Sequence, residues 1–371
     1  MRKRVLIVPD KFKGTLTAAA AALAISRGWK SVRPDDELTL LPMSDGGDGF
    51  GPVLSRLLNG RERWLKTFDA ARQPCEAMWW YDPQSKTAII ESAKVIGLAM
   101  LPPGKYHPFD LDTYGLGAVL RAAQKSGATR CVVGVGGSAT NDGGFGLARS
   151  LGWRFLSKNG QELGAWTSLT KATGVEAPAG RKLFPKLVVA TDVTNPLLGA
   201  QGCSRVYGPQ KGLLPDDMAA AEASLEALAK VMKAVGPDLS KEPGAGAAGG
   251  LGYALMAFCG AERESGFEIF SRLAKLSGLI RDSDLVLTGE GSIDEQTAMG
   301  KGTGQVAALC AKLKRPCIGL AGVVDIPEKL GKNALFTATD SLVRLVAPEE
   351  AMARPAMHLA ALAAEQARAV A

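Results

Sequence analysis

The stretch "CVVGVGGSATNDGG", Cys131–Gly144, passes from a β-branched apolar run straight into a loop holding five glycines, a Ser, a Thr, an Asn and an Asp. Strand followed by glycine is how open α/β proteins bring backbone N–H groups up to an anion, because glycine tolerates positive φ and puts no side chain in the way. Gly134, Gly136 and Ala139 fit G-x-G-x-x-G/A loosely, yet the acidic residue that would take the ribose hydroxyls about 20 positions on is replaced by Trp153, Arg154 and Phe155. Asn141 and Asp142 add polar groups that a plain dinucleotide turn does not need.

Working outward, similar pulses recur. "RVLIVPD" (4–10), "LTLLPMSD" (38–45), "KLVVATD" (186–192), "SDLVLTGEG" (283–291) and "PCIGLAG" (316–322) read as strands, each running into a polar or Gly-rich loop. Residues 15–31, 216–234, 302–313 and 348–370 read as helices between or after them, the alternation that builds parallel sheets with crossover helices. The run from about Arg61 to Ala93 differs: closely spaced strand patterns with turn residues between them predict an antiparallel meander at the entrance of a second domain. "PGAGAAGGLG" (243–252) reads as either a hinge or a tight packing turn.

Bulk properties narrow the function. With 371 residues, 46% hydrophobic and 22% charged, the chain has room for two globular domains and no disordered tract. The net charge of +7 comes from scattered Lys and Arg, clustered only at residues 2–4, which argues against nucleic acid and suits a small anionic substrate. Six cysteines form no C-x-x-C pair, so neither zinc nor a disulfide framework is expected. No apolar run is long enough for a membrane span or a signal segment, and a cytoplasmic protein without a membrane partner is expected.

Two histidines, His107 and His358, lie away from strand ends, so proton transfers fall to carboxylates. Asp10, Asp45, Asp192 and Asp294 follow strands, joined by Glu290 and Asp142. A lone Asp in such a loop is by default a helix cap or Asx-turn. Several at strand ends suggest a divalent cation, most simply Mg²⁺ shared with substrate phosphates. Lys11, Lys13, Lys211 and Lys301 supply ammonium groups to the same loops. "MGKGT" (299–303) is not a Walker A loop, because Glu295 occupies its first Gly position and Gly302 follows Lys301. The residues by themselves lead to phosphoryl transfer or anion binding by an α/β protein.

Seven ordered motifs go further. "VPDKFKGTLTA" (8–18), "SDGGDG" (44–49), "GVGGSATNDGG" (134–144), "DVTNPL" (192–197), "GPQKG" (208–212), "PGAGAAGGLG" (243–252) and "TGEGSIDEQTAMGKG" (288–302) resemble the bacterial glycerate kinase family of the glycerate 2-kinase type. The resemblance implies Mg²⁺- and ATP-dependent phosphorylation of D-glycerate to 2-phosphoglycerate with release of ADP. It also implies a discontinuous Rossmann-like domain (1–70 and 281–371) and an inserted flavodoxin-like α/β domain (71–280), with the site between them. In that frame Asp192 is the hydroxyl-orienting base, and Asp45 and Asp294 are alternative bases or, with Asp192, metal ligands. Lys11, Lys211 and Lys301 neutralise carboxylate or phosphate charge, and Gly136, Gly137, Ser138 and Thr140 donate to phosphate oxygens. Asp10, Asn141, Asn195 and Glu290 complete the substrate and ATP contacts. A monomer or homodimer is expected. The rival readings are an NAD-type oxidoreductase of a small hydroxy acid and a non-catalytic sensor of an organic acid or nucleotide.

Overall fold

The computed structural model describes residues 2–180, 182–298, 302–326 and 335–370. The chain is a mixed α/β protein that separates into a terminal unit, up to Asp45 and from Phe267 onward, and an internal unit, Gly46–Gly266. The sequence places these limits near 70 and 280. The strand Arg61–Phe68 belongs to the internal unit's sheet, and the segment following Phe267 lies with the terminal unit.

The terminal unit holds a five-stranded parallel sheet in the order Ala338–Ser341, Cys317–Val324, Leu285–Ile293, Arg4–Pro9 and Glu37–Leu40. Leu6, Ile7 and Val8 are fully buried, each contributing roughly 1.5–3 kcal/mol by leaving water. Such strands, buried on both faces, read as continuous apolar runs. The helix Ala18–Val32, capped by the Thr17 side chain accepting from the Ala20 N–H, packs on the helix Pro355–Ala369. A Cβ at Gly28 would stand 1.9 Å from the Ala360 carbonyl oxygen, so glycine sets how closely the first and last long helices approach. Where the sequence predicts one helix over 348–370, the structure has two, Pro348–Ala353 and Pro355–Ala369. Pro355 lacks the N–H that would continue the first, and Arg354 leaves the helical region at φ −131°, ψ 51°.

The internal unit holds a six-stranded mixed sheet in the order Glu262–Glu264, Lys186–Ala190, Arg130–Gly134, Thr87–Glu91, Pro74–Asp82 and Arg61–Phe68. The first four run parallel and the last two pair antiparallel, which is the meander read from residues 61–93. On one face of this sheet Ala88, Ile90, Cys131, Val133, Leu187 and Val189 share a core with Phe145, Trp153, Phe155, Tyr253 and Phe258, whose rings meet tilted or edge to face. All six cysteines are free thiols. Among the described residues no helix is long and apolar enough to cross a membrane.

The segment 243–252 is a packing turn. Ala248, Gly249 and Gly250 are consecutive left-handed residues, an arrangement an L side chain resists. It brings the backbone against the 140–144 loop: Gly143 N–H donates to the Gly249 carbonyl at 3.0 Å, and a Cβ on Gly249 would lie 1.9 Å from the Thr140 oxygen.

Gly249→Ala, strained at φ +69° and without room, is expected to destabilise the protein by about 3 kcal/mol in urea unfolding. Gly278→Ala, in a helix with nothing within 4 Å of the new methyl, is expected to be neutral or to stabilise by up to about 1 kcal/mol.

Candidate functional site

In the terminal unit the acidic residues gather at the carboxyl ends of the central strands. Asp10 directly follows Arg4–Pro9; its own N–H donates to the Gly289 carbonyl at 2.8 Å, and its Oδ1 accepts from the Lys11 N–H at 2.7 Å. It is 7% exposed. Burial, with Asp45 and Glu290 close enough to repel it, pushes its carboxyl up to about 7 against the pull of Lys11. Glu290 is raised by burial and by Asp45, while the Thr303 and Thr297 hydroxyls donate to its Oε1 at 2.5 and 3.1 Å and resist that rise. Burial and the charge of Asp45 thus raise both Asp10 and Glu290. Asp294 is used locally: its Oδ1 accepts from the Gln296 and Thr297 N–H groups at 2.8 and 3.2 Å, capping the helix Glu295–Ala298. Lys301 lies outside the described residues. Among the described residues no group of three or more His, Cys, Asp or Glu side chains is arranged to hold a metal ion.

In the internal unit the Gly-rich loop after Arg130–Gly134 lies over a buried ammonium. Lys211, 7% exposed, donates from Nζ to Ser138 Oγ at 3.0 Å and to the Thr140 carbonyl oxygen at 2.6 Å. Burial lowers its pKa to about 8, with Cys203 and Asp142 pulling the other way. The loop amides divide. The Gly136 N–H donates to Gly46 at 3.4 Å and Ala139 to Ile96 at 2.9 Å, whereas the N–H groups of Gly137, Ser138 and Thr140 have no acceptor among the described residues. Gly137 has φ +75°, and a Cβ there would strike the Asp48 carboxylate at 2.0 Å. Thr140 Oγ1 and Asn141 Oδ1 are buried without a hydrogen-bond partner, although Asn141 Nδ2 donates to Ser204 Oγ at 2.9 Å.

The neighbouring acid plays another part. Asp142 is fully buried and accepts from the N–H groups of Thr113, Gly144 and Gly146 and from the Thr113 hydroxyl. Burial and Asp112 nevertheless hold its carboxyl at about 6. It fixes the turn that opens the helix Phe145–Ser150. Asn195 is likewise a loop tie, donating to the Gln201 carbonyl at 2.9 Å and accepting from the Tyr207 hydroxyl at 2.6 Å. Asp192, half-buried, follows Lys186–Ala190 with one residue between.

Glu91 escapes the sequence reading. It is 1% exposed and accepts from the Gly49 and Gly51 N–H groups at 3.1 and 3.0 Å, pinning the start of the helix Phe50–Leu58. Its only signal is an acid closing the apolar strand Thr87–Glu91.

Two α/β units with acidic and glycine-rich loops at strand ends define the class of a small-molecule phosphotransferase scaffold. The glycerate kinase family matches residues 5–371, and the chain belongs to that family. It is similar to the Escherichia coli K12 protein named glycerate 2-kinase, 38% identical over 350 residues that cover 91% of each chain. It is also similar to the Bacillus subtilis 168 glycerate kinase, 37% identical over 92% of each. The crystal structure of a candidate glycerate kinase 2 from Salmonella typhimurium LT2 superposes with a TM-score of 0.83 at 31% identity, covering 100% of this chain and 98% of that one.

The lowered Lys211 pKa has a signed consequence. The folded protein holds this proton less tightly than the unfolded chain, so the contribution to stability rises as pH climbs from about 8 towards 10.5. Wild-type protein is expected to gain about 2 kcal/mol relative to Lys211→Met between pH 7.5 and 9.5 in paired urea titrations. Parallel pH profiles for the two proteins would show that folding does not lower the Lys211 pKa.

Proposed function

We propose that this protein phosphorylates D-glycerate with ATP at the 2-hydroxyl, giving 2-phosphoglycerate and ADP. Support comes above all from the Gly136–Asn141 loop: three N–H donors without acceptors, close backbone approach at glycine, and the Lys211 ammonium beneath. Those are the parts that neutralise and hold a transferring phosphoryl group. In this reading Gly137, Ser138 and Thr140 donate to phosphate oxygens, and Gly136 leaves room for them. Asn141 offers its unpartnered oxygen to the ligand, and Asn195 keeps its loop in register.

Asp192 orients the attacking hydroxyl and takes its proton, with Asp45 and Asp294 as the alternatives. Lys11 and Lys301 balance substrate charge. Asp10 or Glu290 suits a divalent cation that a nucleotide brings with it, because Asp45 lies close enough to repel both and Mg²⁺ bound with phosphates needs only one or two carboxylates. Mg²⁺, when bound there, would offset phosphate charge. Asp192 and Asp294 remain candidate ligands for it. The protein acts in the cytoplasm as a monomer or homodimer.

Incubation with ATP, Mg²⁺ and D-glycerate followed by phosphorus NMR tests the reading. A 2-phosphoglycerate signal is expected; 3-phosphoglycerate would overturn the regiochemistry, and untouched ATP would overturn the activity. Asp192→Asn is expected to lower kcat by about 10²-fold or more; a change within threefold would remove Asp192 as base.

A further inference from the structure

The terminal unit carries an open groove of about 770 Å³ among the helices Gly266–Leu273, Leu276–Asp282 and Thr303–Lys312. Small residues leave the space between the helices unfilled: Ala308 lines the groove, and a Cβ on Gly278 would meet nothing within 4 Å. Phe267 and Leu309 give it apolar wall, while Arg272, Lys275, Arg281 and Lys312 bring four cations against the single carboxylate of Glu268. Lys275, Arg281 and Lys312 are exposed and make no ion pair with any described residue.

We propose that this groove binds a small phosphate-bearing anion. The volume lies in the range of small-molecule sites. Three net positive charges exceed what a lone carboxylate offsets and match a phosphoryl group, which carries about −1.5 to −2 near neutrality. Arginine presents a planar fork that grips phosphate with two parallel hydrogen bonds, and lysine adds point charge. The apolar wall receives the uncharged part of the ligand. Nucleotides and phosphorylated acids share this chemistry, so the probes must separate them. The inference does not depend on the kinase reading, since its residues lie outside the loops assigned to phosphoryl transfer.

The test is calorimetric titration of the full chain with ADP, 2-phosphoglycerate and inorganic phosphate in turn. At least one probe is expected to give a binding event that weakens about tenfold or more in Arg281→Glu/Lys312→Glu. Lys125→Glu/Lys230→Glu, two exposed lysines of the internal unit with the same change in net charge, should retain it. Gly278→Leu, which fills the groove without altering charge, should weaken the same event. Loss of an ADP event identifies a nucleotide, loss of a 2-phosphoglycerate event alone a phosphorylated acid, and loss of a phosphate event of equal strength the bare phosphoryl group. Absence of any event in the wild-type protein, or one equally affected by groove and control variants, would overturn the proposal. Binding at the Gly136–Thr140 loop persists in the groove variants, so the two readings fail separately.

Discussion

A charged lysine placed where water cannot reach it is the constraint on which the internal unit's candidate site depends. Taking an ammonium out of water is expensive, and two hydrogen bonds to Ser138 and Thr140 recover only part of that expense, as the lowered Lys211 pKa records. An apolar side chain there would serve stability as well or better. What the ammonium provides is position: it holds the loop from below and leaves the amides of Gly137, Ser138 and Thr140 directed elsewhere. The left-handed turn at Ala248–Gly250 and the Asp142 cap brace the far end of the same loop, and Glu91 braces the adjoining Gly49–Gly51 segment. Strain, buried charge and under-satisfied polar atoms are thus concentrated in one place, where natural proteins depart from the most stable choice for the sake of a ligand.

The terminal unit concentrates charge of the other sign. Burial and the neighbouring Asp45 raise the proton affinity of both Asp10 and Glu290, and at Asp10 burial dominates. Hydroxyls of Thr297 and Thr303 and the Lys11 N–H supply hydrogen bonds that keep the cluster folded without neutralising it. Asp294 differs from Asp10 and Glu290, because its carboxylate serves a helix end. The family's ordered motifs therefore carry two kinds of carboxylate, some that tie the backbone, as Asp142 and Asp294 do, and some that burial and a neighbouring acid push up, as with Asp10 and Glu290.

How much of this was legible beforehand follows from where each signal resides. Strands such as Arg4–Pro9 and Leu285–Ile293 announce themselves because burial on both faces demands an unbroken apolar run. The meander was readable from its close spacing. The short strands Glu262–Glu264 and Ala338–Ser341 were not, since three or four residues carry no period of their own. Acidic loops could be found from sequence, but the part played by each acid could not: Asp142 and Asp45 look alike in a string of letters, yet Asp142 is fully buried under the N–H groups of Thr113, Gly144 and Gly146 and Asp45 is only half-buried. The motif order put Lys211 among the phosphate-binding groups, but its burial left no local sign, because its partners Ser138 and Thr140 lie more than 70 positions away. The basic groove, assembled from three helices, left no local pattern at all.

The claim at the centre of the account is that the Lys211-held loop receives the phosphates. Backbone amide NMR of protein labelled with ¹⁵N-glycine, -serine and -threonine tests it directly on addition of ATP and Mg²⁺. Selective shifts of the Gly137, Ser138 and Thr140 amides, larger than those elsewhere in the internal unit, are the predicted result. Unchanged resonances at these three residues while ATP is bound would contradict it.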